Sequence, residues 1–208
     1  MITWTRLLAG RLRDPLVGRD ILFGVLCGVL YALLLLFSTG VSARFNIPVF
    51  SLFNVGNLNG VRAATTNLTR ILTSALTGGL SLFLVLFLFR ILLRKQWIAA
   101  TAFVALFTFN QAAQNQYSAT EALISGTVTF TVIYGLLVLI MMRLGFFAFM
   151  VTLFTLNAVL GLFLTLDFGA WYGQSSALIV VFIAALAVWG FHLSLAGRPV
   201  FGSPPDTA

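Results

Sequence analysis

The sequence predicts an all-α fold: a polytopic integral membrane helical bundle of about six transmembrane helices, with both ends in the cytoplasm. Three observations predict it. The chain is 60% hydrophobic and only 8% charged, its mean hydropathy is +1.05, and its basic residues collect at the ends of apolar runs. A soluble domain carries about a quarter charged residues, because its surface faces water. This chain has too few to cover one. Lipid is the solvent in which apolar side chains face outward on every side. A span needs about 20 apolar residues, so 208 residues accommodate six spans and short connections.

Residues 1–20 read as a basic juxtamembrane leader holding Arg6, Arg11, Arg13 and Arg19. Trp4, Leu7, Leu8 and Leu12 share one helical face, with Arg6 and Arg13 opposite. That pattern predicts an interfacial helix ending at Asp14-Pro15, since proline disfavours helix in the residue before it. The first span is Ile21–Thr39. A cleaved signal peptide is the rival reading, because Val41-Ser42-Ala43 resembles a small-residue cleavage site. The apolar run, however, exceeds the usual signal core of about 7–15 residues.

Residues 40–70 form the longest polar segment, an outer loop with Pro48, five asparagines (46, 54, 57, 59 and 67) and Arg44, Arg62 and Arg70. The remaining spans are 71–89, 97–113, 122–142, 144–166 and 177–195. The third is short, its clean apolar part stopping at Phe109 before Asn110 and Gln111. Residues 196–208, with Arg198 and Pro204-Pro205, read as a disordered cytoplasmic tail.

Charge orients these spans. With six crossings and the N-terminus inside, Arg6, Arg11, Arg13, Arg19, Arg90, Arg94, Lys95, Arg143 and Arg198 fall inside. Only Arg44, Arg62 and Arg70 fall outside, as the positive-inside rule requires. Were the third span re-entrant, Arg143 and Arg198 would move outside and the bias would nearly vanish. Charge therefore favours the short span.

The net charge of +7 does not imply nucleic acid, because the basic residues sit at span ends and form no continuous face. The single Cys27 supplies neither a disulfide framework nor a metal site. No cofactor is expected. Gly24 and Gly28 form a G-x-x-x-G that lets a second helix approach closely, within this bundle or from another copy in a homo-oligomer. The second span has a comparable patch of small residues at Thr73, Ser74, Thr77, Gly78 and Ser81.

Polar groups near mid-membrane are few: Tyr31, Tyr134 and Asn157. Asn157 is expected to hydrogen-bond a neighbouring helix. No span carries an acid or base at its centre or a proline anywhere, whereas ion pathways and unwound transporter helices usually show such residues. His192 and Ser125 fall near opposite faces of the predicted bilayer, too far apart for a dyad. Asp167-Phe168-Gly169 spells the magnesium-binding triplet of protein kinases, but the glycine loop, strand lysine and H-R-D loop that work with it are missing. The outer ends of the spans gather a polar rim, among it Gln114, Glu121, Asp167, Trp171 and Tyr172. A solvated rim is favoured there over a ligand pocket, with Trp171 and Tyr172 as interfacial anchors.

Three stretches carry a family resemblance. Trp4-Thr5-Arg6-Leu7-Leu8 with Gly10-Arg11-Leu12-Arg13-Asp14-Pro15-Leu16-Val17-Gly18-Arg19-Asp20 resembles the segment that opens the C-terminal membrane region of certain bacterial serine/threonine protein kinases. Leu164-Thr165-Leu166-Asp167 with Ala170-Trp171-Tyr172 is similar to a later signature of that region. Gly190-Phe191 and Ala196-Gly197-Arg198-Pro199-Val200-Phe201 resemble its end. The resemblance implies a membrane module that follows a cytoplasmic kinase domain, in a bacterial inner membrane. These 208 residues hold no kinase motif, so no catalytic residue is carried over. The expectation is a non-catalytic anchor, sensor or scaffold whose partners are the lipid bilayer and a cytoplasmic kinase or signalling protein. A small transporter is the alternative, and an intramembrane enzyme the third.

Overall fold

The computed structural model describes residues 14–44, 61–114, 120–160 and 173–195. The regular structure within them is helical: α1 Pro15–Arg44, α2 Val61–Leu93, α3 Gln96–Gln114, α4 Thr120–Arg143, α5 Phe146–Leu160 and α6 Gly173–Ser194. The leader up to Arg13, most of the outer loop, the Asp167–Tyr172 region and the tail lie outside the described residues.

Helix ends differ from the sequence reading: α1 runs on to Arg44 inside the expected outer loop, α2 runs on to Leu93 and α6 begins at Gly173. Two helix starts differ more. Residues 15–20, assigned above to the leader, are the first turns of α1. Asp14 caps them: its Oδ1 accepts from the Leu16 amide at 3.0 Å and its carbonyl from the Val17 amide at 3.0 Å. Pro15 sits where a missing N–H costs nothing. Likewise α2 starts at Val61, well before the expected Ile71. Hydroxyls along α2 turn back onto its own backbone. Thr69, Thr73, Thr77 and Ser81 each donate to the carbonyl four residues back, at 3.2, 3.0, 2.9 and 2.9 Å. Each side chain is thereby satisfied within its own helix and needs no water.

Two tight turns reverse the chain. Between α2 and α3, Arg94 takes φ +55° and the Lys95 amide donates to the Leu93 carbonyl at 2.6 Å. Between α4 and α5, Gly145 takes φ +96° after the Leu144 amide donates to the Ile140 carbonyl at 2.8 Å. Glycine at that left-handed position is the usual helix stop.

The packing register shows how the six helices alternate. A Cβ on Gly24 would meet Val151, and one on Gly28 would meet Thr155, so α1 and α5 run parallel. Gly18 faces Gly190 and Ser194, which puts the start of α1 beside the end of α6. Gly79 lies against Met150 and Leu153 while the Phe83 and Phe146 rings meet tilted, centroids 5.1 Å apart, so α2 runs antiparallel to α5. Gln96 and Arg143 line one end of the α3–α4 seam, so those helices are antiparallel too. The start of α1, the ends of α2, α4 and α6, and the starts of α3 and α5 therefore share one end of the bundle. Arg19, Arg90, Arg94, Lys95 and Arg143 belong to those termini.

At the centre stands α5, apolar on nearly every side and buried from Phe146 to Ala158 with few breaks. Its Phe149, Leu153 and Leu156 join Tyr31 and Leu35 of α1, Ile71 of α2 and Leu137 of α4 in the main core. A second cluster joins Val17, Ile21 and Val25 of α1 to α5 and α6. Outside this core the surface inverts the soluble pattern. Leu26, Leu30, Leu33 and Phe37 of α1, Leu88, Ile91 and Leu92 of α2, and Val181 and Val188 of α6 are exposed. Burying such a surface in water would demand a partner everywhere; lipid accepts it directly. Four helical stretches, Pro15–Gly40, Thr65–Leu93, Gly126–Arg143 and Ala177–Ser194, are long and apolar enough to cross a membrane. The fifth helix is apolar but shorter, and α3 falls outside both sets.

Candidate functional site

The feature that the fold leaves open is a groove between α3 and α4, about 1050 Å³ in volume. Its shape follows from side-chain size. On α4, Thr127, Thr131 and Gly135 recur every four residues, and on α3 Thr101, Ala105, Thr108 and Ala112 form the facing stripe. Small residues at helical spacing leave a furrow where leucines would fill it. Nothing lies within 4 Å of a Cβ built on Gly135. Trp97 and Phe109, 76% and 74% exposed, stand beside it as rims.

The groove is chemically graded along its length. Gln96 and Arg143 close the end that belongs to the basic end of the bundle. Val104, Val138 and Leu139 make its body apolar. Thr101 returns its hydroxyl to the Trp97 and Ile98 carbonyls, and Thr131 to the Thr127 carbonyl at 2.8 Å. Thr108 differs. It is 6% exposed and its Oγ1 has no hydrogen-bond partner. Arg143 is exposed and makes no ion pair among the described residues. The groove thus offers a guanidinium and an amide at one mouth and hydrocarbon contact behind them.

The residues singled out in the sequence fall elsewhere. Gly24 and Gly28 face α5: Cβ atoms there would stand 2.9 Å from the Ala148 and Thr152 carbonyl oxygens. They bring two helices of one chain together. Asn157 differs from its expected role, since its Nδ2 donates to the Leu153 carbonyl of its own helix at 2.8 Å and the side chain is exposed. Tyr31 is buried in the main core, with Tyr134 packed against it and ring-to-ring with Phe107 at 5.4 Å. Gln114 ends α3 and Glu121 lies in the first turn of α4, their side chains outside the description; Asp167, Trp171 and Tyr172 lie outside the described residues altogether. Among the described residues no group of three or more His, Cys, Asp or Glu could hold a metal ion.

The groove was missed in the sequence because its residues are unremarkable singly. The available signal was the shared four-residue spacing at Thr127, Thr131 and Gly135, which matters only once α3 is known to lie alongside. Comparison with protein-family models, characterised proteins and solved structures finds nothing that matches this chain.

Proposed function

We propose that the chain is a non-catalytic integral membrane module, an anchor, sensor or scaffold for a cytoplasmic signalling partner of the serine/threonine kinase type. The bundle sits in the inner membrane of a bacterium with six crossings and both ends inside. The observation that carries this reading is the charge asymmetry of the alternating bundle. Arg19, Arg90, Arg94, Lys95 and Arg143 belong to helix termini at one end, and an excess of basic residues marks the cytoplasmic face. The same end holds residues 14–20, the described part of the stretch on which the kinase resemblance rests. Gly18, whose Cβ would meet backbone atoms of Gly190 and Ser194, sets the base of that stretch against α6. A partner bound to the leader is thereby coupled to α1, and through Gly18, Gly24 and Gly28 to α5 and α6.

The transporter alternative asks Tyr31, Tyr134 and Asn157 to line one polar cavity. Tyr31 lies in an apolar core and the Asn157 amide is spent on its own helix, so the module reading has the better support.

Gentle solubilisation of the native membrane, capture of this chain and mass spectrometry of what accompanies it test the proposal. A protein with a cytoplasmic kinase fold is expected in the complex, and deletion of residues 4–13 should release it. Recovery of the chain with a periplasmic solute-binding protein instead, unaffected by that deletion, would favour transport and overturn the module reading.

A further inference from the structure

Two features compete as sites outside the packed core: the hydroxyl ladder along α2 and the α3–α4 groove. The ladder satisfies itself hydrogen bond by hydrogen bond, from Thr69 through Ser81, and asks for nothing. The groove is different, because its mouth holds Arg143, a cation with no ion pair among the described residues.

We infer that the α3–α4 groove binds one anionic phospholipid of the cytoplasmic leaflet, its phosphate at Arg143 and Gln96 and an acyl chain along the furrow behind them. Charge complementarity is the first argument. Arg143 has no ion pair among the described residues, and Arg94 and Lys95 occupy the turn directly before Gln96. A guanidinium holds phosphate in a two-pronged geometry that the zwitterionic lipid's own ammonium does not oppose when the headgroup is anionic.

Dimensions are the second argument. From Gln96 to Ala112 the furrow runs about 24 Å along α3. One leaflet contributes about 15 Å of hydrocarbon, so a chain entering at Arg143 passes Val104 and Gly135 and stops before Thr108, about 18 Å from the mouth. The unpartnered Thr108 hydroxyl therefore lies beyond the chain's end, and recognition falls to the mouth alone. At about 1050 Å³ the furrow has room for a flexible acyl chain.

The inference rests on the orientation proposed above, which names the leaflet, while lipid selectivity is read out independently of it. The full chain is purified, delipidated and titrated in detergent with phosphatidylglycerol or phosphatidylcholine, and bound lipids are counted by native mass spectrometry. One phosphatidylglycerol should bind at least about fivefold more tightly than phosphatidylcholine, and Arg143→Gln should remove about that factor. Gly135→Leu, at a position where the new Cβ meets no atom within 4 Å, places a side chain in the furrow and should abolish the tight adduct while leaving the thermal midpoint unchanged. Excess inorganic phosphate should leave the lipid bound. Equal retention of both lipids, or no effect of Arg143→Gln, means an ordinary lipid annulus and overturns the inference. So does displacement by phosphate, or a dimer that forms in place of the adduct. A failure here with cytoplasmic reporters intact sinks the lipid site alone, whereas inverted reporters sink the orientation and leave the selectivity measurement standing.

Discussion

Replacing Gly18 by alanine is expected to lower the thermal midpoint of the detergent-solubilised protein by about 5–10 °C, an overpacking cost of about 2–3 kcal/mol. The geometry leaves no cheap escape. The new Cβ would stand 2.5 Å from the Ser194 nitrogen and 2.6 Å from the Gly190 carbonyl oxygen, both backbone atoms of α6. A side chain can swing aside; a helix backbone has to translate. Relief therefore means moving α1 off α6, which would open the cluster of Val17, Ile21 and Val25. Gly40→Ala is the matched control, since no atom lies within 4 Å of its Cβ, and helix propensity makes it neutral or slightly stabilising. Circular dichroism melts of both variants decide the matter. Equal midpoints would mean that α1 and α6 are not in this register.

The second large effect is expected at the centre. Phe149 is 1% exposed on α5, enclosed by residues of α1, α2 and α4. In a soluble core Phe→Ala costs about 3–5 kcal/mol, part transfer and part cavity. Here the transfer part shrinks, because the surrounding lipid is as apolar as the core. What remains is lost packing, and Phe149→Ala should cost about 2 kcal/mol. Phe37→Ala removes the same atoms from a side chain that is 71% exposed and should leave stability unchanged. Unfolding in increasing sodium dodecyl sulfate compares the pair. A similar loss for both would place Phe37 in a contact and contradict the outward face of α1.

Helix type was legible in the sequence because hydropathy reports the solvent directly: a run such as Phe83–Phe89 has no tolerable place in water. Boundaries were less legible. The Val61–Arg70 stretch is polar enough to read as loop, and its helical state follows from continuity with the apolar helix after it, which composition does not reveal. The leader's last residues were misassigned for a related reason. Asp20 looks like a solvated charge in sequence, yet it is buried within α1. The close approach at Gly24 and Gly28 was visible as spacing, while its partner, α5 rather than a second copy, needed the structure. The groove was the least legible, being a property of two helices and of what is missing between them.

The central claim, six crossings with both ends in the cytoplasm, hangs on α3, which is 19 residues long and not among the helices apolar enough to span by composition. Its position argues that it crosses, because it runs antiparallel to α4 along the groove from Gln96 to Ala112. Fusing alkaline phosphatase and a cytoplasmic fluorescent reporter after Leu93 and after Asn115 in the full chain tests this most directly. The account predicts a cytoplasmic signal after Leu93 and an external one after Asn115. Both reporters on the same side would remove α3 as a span, move Arg143 to the outer face, and contradict the six-helix topology.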